Sequence, residues 1–380
     1  MANTLNNLIP TLYAAMEVVS REMTGFIPAV GRDSSADRVA LGKTLSIPIA
    51  GTAAAQDVTP GATAPVNGGR TDNTVDITMS KSRYVPVLFT GEETLGLQGA
   101  GTYADLVRQR MEQAFRTLGN EIDADLATEA YRGASRAYGT AGTTPFGTKD
   151  DLTDFAGVKQ ILEDNGAPTA ECQMVLGSAA MFNLRGVQTG ILQKVNEAGS
   201  ADALRFGLFG DVHDFTLRNS AHVVSHTKGT GSGYQLSAAA ASGATTASVD
   251  TGTGTIVAGD VVTLAGDSNK YVASGLDSGT LALNAPGLRE AAADNAAVTV
   301  GNSFVGNVGF HREAIQLATR APASPEGGDS ADDRLVITDP VTGLAFEVAY
   351  YRQYRQVKIE VAIAWGYKAI NSRHIALLIG

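Results

Sequence analysis

From Leu45 to Arg132 the chain is committed to two alternating strands, a soft loop and one long helix, parts that cannot enclose a core by themselves. In the first strand Leu45, Ile47 and Ile49 share a face; in the second Val75, Ile77 and Met79 do. Gly51 to Asp72 lies between them, with Pro60, Gly61, Pro65, Gly68 and Gly69 as turn formers and only Val58 and Val66 as sizeable apolar residues. That loop is too long for a tight hairpin turn and too poor in apolar groups to pack on itself. An arm lying across another copy of the chain is the economical reading, and it points to assembly before catalysis.

Composition agrees. The 380 residues are 44% hydrophobic and 18% charged, enough for a sizeable core, while 43 glycines and 6% aromatics favour a β-rich, loop-rich chain. A net charge of -10 argues against a nucleic-acid binder, because phosphate affinity comes from clustered Lys and Arg. For the wall of a container filled with DNA, weak adhesion is an advantage. Cys172 is the single cysteine, so an intrachain disulfide or a cysteine-based zinc site is excluded, and a reducing compartment is expected. Runs of about 18 apolar residues are absent, and the first positive side chain is Arg21, so a cytoplasmic product without a membrane span or signal peptide is expected.

Along the chain, Leu12, Met16, Val19 and Met23 form a helical stripe from Ile9 to Met23, compatible with an amphipathic arm or a core helix. Phe26 to Lys43 reads as extended and loop-like. The long helix starts after Gly99 and Gly101, with Thr102 as N-cap and Asp105 at capping-box spacing. Tyr103, Val107, Met111, Phe115, Leu118, Ile122, Leu126 and Ala130 then recur in steps of three or four, and Thr102 to Gly133 would span roughly 45 Å. A helix from Leu152 should end at Asn165 and Gly166; Met174 to Leu176 reads as a buried strand, Ser178 as the cap of a helix over 179–184, and Thr216 to His226 as a strand. This is an α+β body. Gly231 to Asn302 differs: it carries six acids against two bases, with short alternating runs at 245–249, 261–264, 270–273, 280–283 and 297–300. We read it as a small all-β insertion, since helix and strand chemistry resume at Phe304. A hairpin around Asp339 to Gly343, a long strand with Val357, Ile359, Val361, Ile363 and Trp365 on one face, and a last strand over 375–379 close the chain.

Catalytic signals are weak. Gly99-x-Gly101-x-x-Ala104 nearly matches a dinucleotide fingerprint, but the preceding strand ends near Phe89, too early for a strand-turn-helix phosphate site. His222 and His226 on one strand face, with Asp214, fall short of a zinc ligand set. Glu121, Asp123 and Asp125 lack the glycine and terminal glutamate of a calcium loop and read as a solvated helix face. Trp365 reads as core. No Ser, His and acid constellation with an elbow motif is present, and no cofactor is expected.

The order of these parts resembles the major capsid proteins of tailed phages, in particular podovirus-type coat proteins with an inserted domain. The stretches carrying the resemblance are LYAAMEVVSREMTGFIPAV in the N-terminal arm, ILEDNGAP and MVLGSAAMFNL in the centre, GFHREAIQLATR after the insertion, and IAWGYKAINSRHIALLIG at the end. The resemblance implies an N-terminal arm (1–43), an E-loop arm with flanking strands (44–90), the spine helix and peripheral domain (91–150), an axial domain (151–229), the inserted all-β domain (230–303), and the remaining axial and peripheral parts (304–380). The peripheral domain would combine the second arm strand, the spine helix and C-terminal strands. Pentamers and hexamers would close into an icosahedral shell around double-stranded DNA held without sequence-specific binding. A separate scaffolding protein, a portal protein and a decoration protein are the partners to expect, with no membrane. Pro60, Arg70 and Asp72 are the candidate assembly residues of the arm. Gly119, mid-spine, is either a hinge or a point of close backbone approach. The competing readings are a bacterial nanocompartment (encapsulin-like) shell enclosing enzyme cargo, a surface adhesin or S-layer component, and, last, an enzyme.

Overall fold

The computed structural model describes residues 24–49, 73–99, 103–188, 211–326, 328–339 and 342–380. The expected helix over 9–23 and the loop over 51–72 lie outside the described residues. The rest is a mixed α+β fold with few helices.

The first strands are β1 (Gly31–Val39), β2 (Thr44–Ile49), β3 (Asn73–Thr78) and β4 (Lys81–Thr90). Two helices follow, α1 (Gly91–Gly99) and α2 (Tyr103–Arg132). α2 is the expected spine: Val107, Met111, Phe115, Leu118, Ile122, Leu126 and Ala130 are all buried along it. At 1.5 Å per residue its 30 residues reach about 45 Å. α1 was not anticipated. It buries no residue, so it has no apolar periodicity to betray it. Its signal was a capping box, in which the Glu93 N–H donates to Thr90 Oγ1 (3.2 Å) and the Thr90 N–H donates to Glu93 Oε2 (3.0 Å).

Beyond the spine lie β5 (Arg136–Gly139), α3 (Thr153–Asp164), β6 (Cys172–Leu176), α4 (Ser178–Gly186), β7 (Asp211–Val212), β8 (Phe215–Asn219) and β9 (Ser225–His226). α3 ends as expected: Asn165 is the C-cap, Gly166 adopts φ +75°, and its N–H donates to Glu163 O. α4 begins differently, with Gly177 as N-cap and no side-chain cap, so Ser178 is the first helical residue and not the cap. The expected strand over 216–226 is broken after Asn219, because Ser220 Oγ turns inward to Asp123 and also accepts from the His222 N–H.

β10 (Tyr234–Leu236), β11 (Thr246–Asp250), β12 (Val261–Leu264), β13 (Lys270–Asp277), β14 (Thr280–Leu283) and β15 (Ala297–Val300) form the small β-unit, each expected run falling on a strand. Leu236, Val262, Leu264, Tyr271, Leu281, Leu283 and Val298 make its own core. The chain closes with β16 (Phe304–His311), β17 (Ile315–Pro322), β18 (Asp333–Thr338), β19 (Ala345–Gln353), β20 (Gln356–Ala369) and β21 (Ile375–Ile379).

Two sheets flank the spine. One runs β1-β17-β20-β19-β18, with β4 also paired to β20. β1 is the strand that the loop-like reading of 26–43 missed; its sequence, GRDSSADRV, has little alternation, and parallel pairing to β17 with ion pairs Arg38–Glu347 and Arg320–Asp33 (both 2.7 Å) holds it. The C-terminal strand β20 pairs with β4, whereas β3, the second arm strand, has β2 as its strand partner. The other sheet runs from the β-unit through β13-β5-β21-β16-β6-β8-β7. Phe89, Phe346 and Trp365 from the first sheet and Val308, Phe310 and Leu377 from the second join α2 in one core, and Phe115 meets Phe346 edge-on at 5.1 Å. Burying side chains of this size contributes about 1.5–3 kcal/mol each. α3 and α4 cover the far face of the second sheet with Phe155, Val158, Leu162, Met181 and Leu184.

The β-unit is docked, not tethered. Lys270 and Tyr271 pair with Ala137 and Arg136, Asn284 Nδ2 donates to Arg132 O and Ala134 O, and Val261 and Val272 enter the main core. At its root the buried His226 Nε2 lies 2.8 Å from Asp260 Oδ1, and Asp260 also accepts the N–H groups of Gly229 and Val257. Burial alone would raise the Asp260 carboxylate; the His226 hydrogen bond and the backbone donors outweigh it and hold the group below its ordinary value. Its stabilising contribution is therefore present above about pH 4, the unfolded value, and lost as pH falls through the depressed folded value. Asp260→Asn should cost about 1–3 kcal/mol at neutral pH and less in acid; urea titrations at pH 7 and pH 3 that showed the same loss would contradict this linkage.

Candidate assembly surface

Pro60, Arg70 and Asp72 lie outside the described residues, so the structure brings none of them to a site. The roots of their loop are described. β2 and β3 form a two-stranded ribbon in the expected register, Leu45 opposite Ile77 and Ile47 opposite Val75. Ile77 and Met79 are buried against Val39, Ala318 and Ala364, which ties the ribbon's base to the first sheet.

Gly119 is buried on the packed face of α2, beside a small gap lined by Thr24, Ile27, Phe115, Asp339 and Thr342. A Cβ placed on it would meet no heavy atom within 4 Å. Close approach of another backbone segment is therefore not why glycine stands here, and that alternative is withdrawn.

An apolar patch missed by periodicity sits at one end of the first sheet. Leu88 faces Lys358 across β4 and β20, the Gly91 N–H donates to Arg355 O, and Leu95 projects from α1 at 74% exposure beside the β19–β20 turn, where Tyr354 is 86% exposed. Further along β4, the exposed Tyr84 ring lies 4.8 Å from Lys358 Nζ, which also sits 5.3 Å from the Tyr351 ring. Large exposed apolar groups gathered on one edge mark an interaction surface. The signal was available: a turn reading Tyr354-Arg355 and a short helix in which Leu97 packs against the main core while Leu95 stays exposed.

The polar groups singled out earlier serve structure. Lys81 Nζ bridges Glu121 (3.0 Å) and Asp125 (2.8 Å), and Trp365 Nε1 donates to Asp125 Oδ2 at 3.0 Å. Asp123 is fully buried, so the three acids are not the solvated face expected of them. α1 separates β4 from α2, so the glycines at 99 and 101 do not join a strand directly to a helix. His222 and His226 are on no common strand, and His226 is satisfied by Asp260. Among the described residues no group of three His, Cys, Asp or Glu is placed to hold a metal, and no helix is long and apolar enough to cross a membrane. A cleft of about 990 Å³ opens between the β-unit and α3, but most of its charges are engaged: Asp164 with Arg136 and Arg289, Asp154 with the Phe146 N–H, Lys270 with Gly139 O.

Neither a protein-family model nor a curated protein matches the sequence. Solved structures do. The capsid structure of cyanophage P-SCSP1u is similar at 11% identity and a TM-score of 0.50, covering 92% of this chain and 86% of that one. The chain has a phage capsid fold. The capsid of Ralstonia phage GP4 (10% identity, TM-score 0.48, 94% and 88% covered) and a virus-like particle from Pyrococcus furiosus (7%, 0.42, 97% and 98%) are more distant matches.

Since the gap beside Gly119 admits a methyl group, Gly119→Ala should stabilise the folded subunit by about 1 kcal/mol through helix propensity. Chemical denaturation of the two proteins measures this, and a destabilised alanine variant would show that the gap closes around glycine.

Proposed function

We propose that this chain is a structural coat protein, the major capsid protein of a tailed phage, which self-assembles into a closed shell around double-stranded DNA. The observation that carries the reading is the likeness to the P-SCSP1u capsid over nearly the whole of both chains. The exposed Leu88, Leu95 and Tyr354 support it, because a second copy of the chain is the partner such a fold meets first. On this reading pentamers and hexamers build an icosahedral shell, 51–72 is the arm reaching a neighbour through Pro60, Arg70 and Asp72, α2 is the spine, and the β-unit is an inserted domain. Scaffolding, portal and decoration proteins are the proposed partners. Gly119 serves as a hinge, letting the spine change curvature as the shell matures.

Expression with the cognate scaffold should yield closed shells by electron microscopy and fast sedimentation; a persistent monomer under those conditions would reject the proposal. Nucleic acid inside the shells fits a capsid, and enzyme cargo instead would move the reading to a nanocompartment.

The segment 51–72 contains no lysine, and Lys43 and Lys81 lie outside it. Shells should therefore lack arm-lysine isopeptide cross-links and run as a single monomer band after boiling in detergent, whereas a ladder would require another cross-linking residue.

A further inference from the structure

Three arginines from three elements lie within electrostatic reach of one another where the two sheets join. Arg32 lies on β1, Arg218 on β8, and Arg312 opens the 3-10 turn Arg312–Ala314 that links β16 to β17 and packs against β1. Arg218 Nε donates to Gln173 Oε1 at 2.9 Å, and Gln173 stands opposite Phe310 at the end of β16, which draws the guanidinium toward the turn. Arg32 leans on the β18–β19 turn, its Nη1 2.9 Å from where a Cβ on Gly343 would sit. That Nη1 is shielded from solvent and has no hydrogen-bond partner.

The other well-buried arginines are paired: Arg136 with Asp164 and Arg320 with Asp33. Among the described residues, none of Arg32, Arg218 and Arg312 forms an ion pair with a carboxylate, in a chain whose net charge is -10. Asp339 is the acid whose charge reaches Arg32. Burial, then the charge of Arg312, pushes Arg32 below its ordinary value; burial, then Arg312 and Arg32, does the same to Arg218. Guanidinium groups stay protonated regardless, so their mutual repulsion is a standing cost that an anion between them would relieve.

We propose that Arg32, Arg218 and Arg312 form a binding site for a phosphate oxyanion. Three positive groups less Asp339 leave a local charge of about +2, which suits the charge of about -1.5 to -2 on a phosphate at neutral pH and exceeds what one carboxylate supplies. Planar guanidinium forks match phosphate oxygens bidentately, and Arg32 Nη1 is a donor already stripped of water. The phosphate can come from the free ion or from a nucleic-acid backbone. The site itself does not depend on the coat-protein reading, although the second source does.

Thermal melts of the full chain in sodium phosphate and in sodium chloride of equal ionic strength test the site. Millimolar phosphate should raise the midpoint of the wild type by several degrees over chloride and leave Arg312→Gln and Arg218→Gln unmoved; without phosphate, Arg312→Gln should melt no lower than the wild type, since it removes repulsion, whereas Arg218→Gln also loses the bond to Gln173. A single-stranded oligonucleotide at equal phosphate concentration separates the sources: a shift that Arg312→Gln abolishes assigns the site to nucleic-acid backbone as well, and a shift with inorganic phosphate alone assigns it to the free ion. Equal response to phosphate and chloride in the wild type, or a phosphate shift that survives in both variants, overturns the proposal. Loss of shell assembly with the phosphate shift intact would reject the coat-protein reading and leave the site standing.

Discussion

The carboxylate of Asp123, halfway along the spine helix and out of contact with water, holds three distant parts of the chain together. Its Oδ1 accepts the N–H groups of Phe26 (2.9 Å) and Ile27 (3.0 Å), and its Oδ2 accepts the hydroxyl of Ser220 (2.7 Å). Burial raises its pKa despite those donors, so the desolvation cost is only partly offset. What the cost secures is position. Phe26 and Ile27 are driven into the core beside Phe115, and the chain between β8 and β9 is bent at Ser220 so that β9 can return to β16. Removing the carboxylate would leave buried N–H groups without a partner, a larger penalty than the loss of an exposed ion pair.

The rest of the spine's acidic side does similar work toward the first sheet. Asp125 receives both Lys81 and the indole N–H of Trp365, and Glu129 accepts the Ala369 N–H at 2.9 Å. One face of α2 thus packs apolar side chains against both sheets, while the adjacent face fastens β4 and β20 by polar contacts. The helix cannot shift against the first sheet without breaking these hydrogen bonds together, and this is why two sheets with separate hydrogen-bond networks behave as one body around it.

Sequence legibility followed the physics of each element. The stripe from Val107 to Ala130, the end of α3 at Asn165 and Gly166, and the strands of the β-unit were readable because local periodicity and turn chemistry specify them. β1 was not, since GRDSSADRV becomes a strand through pairing with β17 and ion pairs to residues far along the chain. Nor was the burial of Asp123, because a carboxylate on an amphipathic helix reads as solvated unless its distant donors are known. Pro60, Arg70 and Asp72 lie outside the described residues, and their place in the sequence between β2 and β3 is what supports an assembly role for them. The arginine cluster was invisible for the reason that hid Asp123: Arg32, Arg218 and Arg312 converge only once the two sheets are joined.

Gly119 and Asp123 stand one turn apart on the same face of the spine, and this spacing couples them. Ile27 lines the gap beside Gly119 and also donates its N–H to Asp123. Asp339 and Thr342, from the β18–β19 turn, line the same gap, and Asp339 is the acid whose charge reaches Arg32. A change in helix curvature at Gly119 would therefore be felt first by the segment that Asp123 pins and by the turn against which Arg32 leans. The space at Gly119 supplies room for such a change, and the hydrogen bonds at Asp123 limit how far it can go before buried N–H groups lose their acceptor.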